Sequence, residues 1–215
     1  MKRRLKINGF IMSIAVFAIA FFPALFFRRA SPDYLESLTE ITGVALILLG
    51  QILRVSGRGY KSEHSGNGHS LIRSGPYMLV RNPMYLGILL IGLGIVAMLF
   101  QWWVLCIFLP VFTIRYLLLI FKEEKKLAAL FPVAYPVYQR SVPRLLPSLS
   151  VIATKDVGEY LPLKLSWLKK ELGSMLAVLL ITLLLESWEE IKNTTKDSNK
   201  TNDYKSRSSQ PVGNL

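Results

Sequence analysis

Two short stretches hold the residues best suited to chemistry. The first, Ser74-Gly75-Pro76-Tyr77-Met78-Leu79-Val80-Arg81-Asn82-Pro83-Met84-Tyr85-Leu86-Gly87, is polar, basic and aromatic, and it runs into an apolar segment. The second begins at Glu123-Glu124. Side chains of neighbouring residues on a helix diverge by about 100°, so both carboxylates cannot face one ligand. One is left for a ligand while the other holds a basic residue or a backbone donor. By itself, Lys122-Glu123-Glu124-Lys125-Lys126 also reads as an ordinary charged helix end, although a helix C-terminus favours cations over acids. Arg115 lies two turns earlier, about 12 Å away by helix rise. An arginine inside an apolar run faces a bundle interior or a wet cavity, where it binds an anion or pairs with a carboxylate. Tyr77, Tyr85, Tyr135 and Tyr138 suit two roles, as interfacial anchors or as aromatic walls around a cation or an adenine ring.

Other groups carry less. His64 and His69 sit in a Gly-rich stretch with no cysteine partner and no His-Glu-x-x-His pattern, so no metal site is expected. There is no nucleophile elbow, P-loop or dinucleotide fingerprint. Gly87 and Gly94 are seven residues apart and share a helix face. They and Gly92 either let a neighbouring helix approach closely or leave room for a flat cofactor. Cys106 lies in an apolar run and is expected to pack there.

Apolar helices must position these groups. The chain of 215 residues is 52% hydrophobic with only 19% charged residues and a mean hydropathy of +0.38, and several apolar runs approach the ~20 residues that cross a bilayer. The net charge of +12 would suggest nucleic acid in a soluble protein. Here the basic residues flank apolar runs, which points instead to membrane topology and anionic lipid. No nucleic-acid partner and no obligate protein partner are expected.

The pattern predicts an all-α integral membrane protein with about five transmembrane helices and a cytoplasmic-side pocket. The basic start Met1-Lys2-Arg3-Arg4-Leu5-Lys6 followed by Ile7 to Phe27 predicts a first span with its N-terminus in the cytoplasm. Its apolar run is too long for a signal-peptide core. A turn follows at Ser31-Pro32-Asp33. Leu38 to Val55 is the second span, with Gln51 and Arg54 at the cytoplasmic interface. Ser56 to Asn82, rich in glycine, reads as a cytoplasmic loop. Asn82-Pro83 has the chemistry of a helix start, Asn as N-cap and Pro at the first helical position, so the third span runs from Pro83 to Phe100. Gln101-Trp102-Trp103 is a tight connection. The fourth span covers Trp103 to Phe121, with Pro110 placed to kink it. Lys122 to Arg140 is interfacial, and Leu172 to Trp188 is a short fifth span. The antiparallel hairpin of the third and fourth spans brings Arg81–Tyr85 close to Glu123–Glu124.

Together, Gly75-Pro76-Tyr77, Val80-Arg81-Asn82-Pro83-Met84-Tyr85-Leu86-Gly87, Glu123-Glu124-Lys125-Lys126-Leu127, Phe131, Tyr135, Tyr138 and Val142-Pro143-Arg144-Leu145-Leu146-Pro147 resemble one family in order and spacing. It is the integral-membrane methyltransferases that include isoprenylcysteine carboxyl methyltransferase and the phospholipid N-methyltransferases. The resemblance covers about residues 40–147. It implies S-adenosylmethionine as cofactor, a lipid-like or prenylated acceptor bearing a carboxylate or an amine, and a plasma- or inner-membrane protein whose cofactor pocket opens to the cytoplasm. On matching positions it places Tyr77, Arg81, Asn82, Pro83, Tyr85, Gly92, Gly94, Glu123 and Glu124 near the cofactor. A carboxylate acceptor would need a cation, for which Arg144, Arg140 and Arg115 are candidates, with no metal involved. Two departures stand out. Asn82 occupies a position that is normally His, and Pro132 follows Phe131 where Gly is usual. A non-catalytic binding protein of the same fold, or an NADPH-dependent isoprenoid or sterol reductase, are the alternatives. The expected organisation is an N-terminal helix and turn at 1–37, a methyltransferase-like membrane core at 38–147, a connector with the fifth membrane helix at 148–190, and a disordered polar tail at 191–215.

Overall fold

The computed structural model describes residues 23–27, 34–147 and 157–208. Most of the expected first span, the Ser31–Asp33 turn and the end of the tail lie outside these residues. The described residues form eight α-helices: α1 (Pro23–Phe26), α2 (Tyr34–His64), α3 (Pro76–Leu79), α4 (Pro83–Leu99), α5 (Trp102–Leu130), α6 (Ala134–Ser141), α7 (Val157–Tyr160) and α8 (Leu165–Ser208). Among them no β-strand occurs, only an isolated bridge between Phe27 and Phe100.

Segments 37–64 and 102–130, in α2 and α5, are long and apolar enough to cross a membrane. The α4 helix has 17 residues, about 26 Å by helix rise, and the apolar part of α8 covers Met175–Leu185. Much of the apolar surface is uncovered. Ile107, Val111, Ile114 and Leu118 along α5, and Leu176, Leu180 and Leu184 along α8, are more than half exposed. Contiguous apolar faces of this kind belong in lipid, which makes the protein membrane-associated.

The seam between α2 and α4 is built on glycine. A Cβ on Gly50 would stand 2.6 Å from the Gly87 carbonyl oxygen, and one on Gly94 would stand 2.5 Å from that of Gly43. Only glycine allows backbones to meet this closely. Gly87 and Gly94 do share one face, and that face receives a helix. Ile47, Met98 and Leu99 pack at one end of the seam, with Leu53, Val80, Leu86, Leu89 and Phe112 at the other. The α4–α5 connection is as tight as expected. Gln101 N–H donates to the Phe26 carbonyl (2.9 Å), and its side-chain amide donates to that of Phe27 (3.2 Å).

Several expectations are corrected. The second helix does not end at Val55 but runs to His64. Gly57 and Gly59, read as loop residues, sit inside it because Pro83 and Trp167 press against them; a Cβ on Gly59 would fall 2.2 Å from the Trp167 ring. Gln51, expected near the membrane interface, is buried within the protein. Cys106 is exposed rather than packed. The α5 helix is continuous across Pro110 and extends past Phe121 to Leu130, so the glutamate pair lies within it rather than at its end. The polar segment after Ile191, expected to be disordered, continues α8 to Ser208. Extending an existing helix avoids the nucleation cost that makes such a sequence unhelical on its own.

Candidate functional site

The site forms where the C-terminal half of α5 meets the turn between α3 and α4. Gly75, at φ +60°, reverses the chain in a conformation that glycine adopts without strain. A Cβ there would also collide with the Tyr60 ring. Pro76 and Pro83 stand at the starts of α3 and α4, where a missing N–H costs nothing. Between the two helices, Val80-Arg81-Asn82 runs beside the segment Val142–Leu145. The Arg81 N–H donates to the Pro143 carbonyl (2.9 Å), and the Asn82 amide donates to the Arg144 carbonyl (3.0 Å). The Tyr138 hydroxyl donates to the Tyr77 carbonyl (2.8 Å). Asn82 does stand at the N-cap position, but its side chain makes no cap bond; it ties two strands of backbone together instead.

Glu124 is the electrostatic centre. Arg144 reaches it through Nε (3.1 and 3.2 Å) and Nη2 (2.9 Å), a fork-on-carboxylate geometry, and its guanidinium lies 4.6 Å over the Phe121 ring. These hydrogen bonds hold Arg144 still more firmly protonated than usual. On the other side, Arg81 Nη1 comes within 3.1 Å of Glu124 Oε1. The charges are close, but the N–H directions miss the oxygen, so Arg81 Nε and Nη1 make no hydrogen bond among the described residues. The buried Tyr135 hydroxyl likewise has none. Burial first, and then the Glu124 charge, push Tyr135 above the ordinary tyrosine range; burial does the same for Tyr77 and Tyr138. All three remain neutral at physiological pH.

Glu123 points the other way, as adjacent helix positions require. It lines an open cleft with Lys61, Tyr77, Arg81, Asn82, Pro83, Met84, Tyr85 and Leu127. The cleft thus holds a buried guanidinium, an exposed carboxylate and two tyrosines. A second, apolar groove lies between α4 and α5, lined by Ile88, Ile91, Gly92, Phe108, Phe112, Arg115 and Tyr116 among others. The two cavities flank an aromatic file: the Tyr85 and Tyr116 ring centroids are 5.5 Å apart, those of Tyr116 and Phe112 4.2 Å.

The expected residues therefore separate into groups. Tyr77, Arg81, Asn82, Pro83, Tyr85 and Glu123 share the cleft, and Glu124 anchors it from behind with Arg144. Gly92 and Arg115 belong to the apolar groove. Gly94 is committed to the α2 seam, and Arg140 is exposed on α6. Sequence reasoning missed Lys61, Met84 and Leu127. Lys61 was hidden because the end of α2 reads locally as loop; Met84 and Leu127 stood inside the two stretches that signalled the site.

Residues 38–133 match the family model described as phospholipid methyltransferase. The cobalt-zinc-cadmium resistance protein CzcN of Cupriavidus metallidurans is 34% identical over 112 residues, an alignment covering 51% of this chain and 48% of that protein. The chain thus spans about half the length of this curated relative. No solved structure matches.

Proposed function

We propose, from the premise that residues 38–133 belong to the phospholipid methyltransferase family, that this protein is a membrane-embedded, S-adenosylmethionine-dependent methyltransferase. Its acceptor is a lipid-like or prenylated molecule with a carboxylate or an amine. It crosses the membrane about five times, with its N-terminus and the cleft on the cytoplasmic side. The observation that supports this reading is the lining of the cleft, where the guanidinium of Arg81, 8% exposed, stands with Tyr77, Tyr85 and the exposed carboxylate of Glu123.

The cleft suits the cofactor's chemistry. Arg81 would hold its carboxylate, Glu123 would offset its sulfonium charge, and Tyr77 and Tyr85 offer aromatic faces. When bound, S-adenosylmethionine supplies a methyl group already activated for displacement. What remains for the chain is alignment of donor and acceptor. Glu124 keeps Arg81 in place. The Tyr138 and Asn82 hydrogen bonds fix the backbone on which Tyr77 and Arg81 stand. The apolar groove offers the acceptor a route from the membrane, with Arg115 at its wall to hold an anionic group. An amine acceptor must shed a proton, and Glu123 is the carboxylate placed to take it.

Asn82, in place of the family's histidine, supports an active enzyme. Its amide gives a neutral hydrogen bond to a backbone carbonyl, a role with no proton to transfer. The test is transfer of labelled methyl from S-adenosylmethionine to total lipid and small-molecule extracts, read by mass spectrometry. Labelled product in the wild type that falls in Glu123→Gln supports the proposal. Absence of labelled product, together with no calorimetric binding of S-adenosylhomocysteine, refutes it.

A further inference from the structure

Residues beyond the family match close the site from behind. The segment from Val157 to Glu171 lies across two elements that carry cleft residues, the last turns of α2 and the α3 turn. On α2, Ser56 Oγ donates to the Pro162 carbonyl (2.9 Å). Glu63 accepts from the Trp167 indole (2.6 Å) and from Lys164, and Arg58 pairs with Glu171. On the other element, α7 packs against α3, and Leu161 packs into the cluster that contains Val80, the residue before Arg81.

Trp167, 3% exposed, is the centre of this clasp. Its ring fills the space that Gly59 leaves by lacking a side chain, and it meets the Tyr60 ring edge-on at 6.4 Å. Tyr60 in turn presses on Gly75 and shares a hydrogen bond with Ser74 (2.8 Å). A packed path therefore runs from Trp167 through Tyr60 to the turn that presents Tyr77, and Lys61, next to Tyr60, faces the cleft.

We infer that Val157–Glu171 is a clasp that sets the distance between two walls of the cleft, and that Trp167 is a positioning residue for Lys61 and Tyr77. The identity of the ligand rests on the methyltransferase reading; the clasp itself does not. The test uses the full chain in lipid nanodiscs, comparing Trp167→Ala and Trp167→Phe with Gly43→Ala, which strains the α2–α4 seam elsewhere. Hydrogen exchange is followed at residues 57–64 and 75–82, and S-adenosylhomocysteine affinity by calorimetry.

Trp167→Ala is expected to speed exchange in both segments and to weaken S-adenosylhomocysteine on the order of tenfold to a hundredfold, the scale of a remote misplacement. Trp167→Phe should recover part of both, and Gly43→Ala should change neither. Unchanged exchange at 75–82 in Trp167→Ala, or a rise no larger than in Gly43→Ala, overturns the clasp. If the wild-type chain binds no S-adenosylhomocysteine, the methyltransferase reading falls, while the exchange comparison still decides the clasp.

Discussion

Arg81 Nη1 lies 3.1 Å from Glu124 Oε1, with the two side chains 8% and 9% exposed. This contact joins the turn before α4 to the C-terminal part of α5. It also explains why two adjacent glutamates divide their labour: Glu124 is spent on Arg81 and Arg144, which leaves Glu123 facing the cleft.

Removal of Glu124 should therefore be a folding lesion. Glu124→Ala leaves Arg81 buried without its counter-charge, and breaking a buried pair in this way costs about 3–5 kcal/mol. Thermal unfolding in detergent should show a large drop. Glu123→Gln, at an exposed position, should leave unfolding unchanged and lower methyl transfer at least about tenfold, the low end of what a placed proton-transfer or charge-stabilising group contributes. Equal loss of stability in both variants would contradict the division.

Asn82 permits a sharper comparison. Asn82→Ala strips the donor from the Arg144 carbonyl and should cost about 1–3 kcal/mol, with weaker S-adenosylhomocysteine binding in calorimetry. Asn82→His retains a donor and should retain transfer activity. Loss of activity in Asn82→His with normal stability would show that the amide does something imidazole cannot.

The α2–α4 seam should resist any side chain. Gly50→Ala drives a Cβ to within 2.6 Å of the Gly87 carbonyl oxygen, and relieving it means moving backbone. Overpacking of this kind costs about 1–3 kcal/mol, measurable as a lower thermal midpoint. Gly92→Ala meets only the tip of the Phe108 ring and should instead narrow the apolar groove, altering acceptor use more than stability.

What could be read from the sequence was local chemistry with one solution. Asn82-Pro83 had to open a helix, Gln101-Trp102 had to be a short reversal, and a hairpin of two such helices had to bring Arg81 to the glutamate pair. What stayed hidden depended on partners far away in the chain. Gly57 and Gly59 signal a loop until Trp167 and Pro83 are known to press on them. The Pro132 substitution gave no hint that the chain turns there only after α5 has run on to Leu130. Gly94 had two readings, and only the position of Gly43 in α2 selects between them. The clasp carries no motif at all, because its contacts are ordinary hydrogen bonds and ion pairs whose meaning lies in where they converge.

Alkaline pH should open the site through Tyr138. Burial raises its hydroxyl above the ordinary value, which in an unfolded chain is about 10. A folded-state pKa above the unfolded one means the unfolded chain loses its proton first. The stability contributed by neutral Tyr138 is therefore fully present below about pH 10 and falls as pH climbs toward the folded-state value. Its hydroxyl donates to the Tyr77 carbonyl, so ionisation also removes the bond that holds the cleft turn. Thermal midpoints measured from pH 8 to 11 should fall more steeply in wild type than in Tyr138→Phe, which begins lower but carries no proton to lose. Tyr77 is only partly buried, but desolvation raises its hydroxyl too, and that hydroxyl points to the Gly57 carbonyl (3.3 Å), so Tyr77→Phe should remove part of the same slope. Parallel curves for wild type and both variants would mean that the alkaline limit arises elsewhere in the chain.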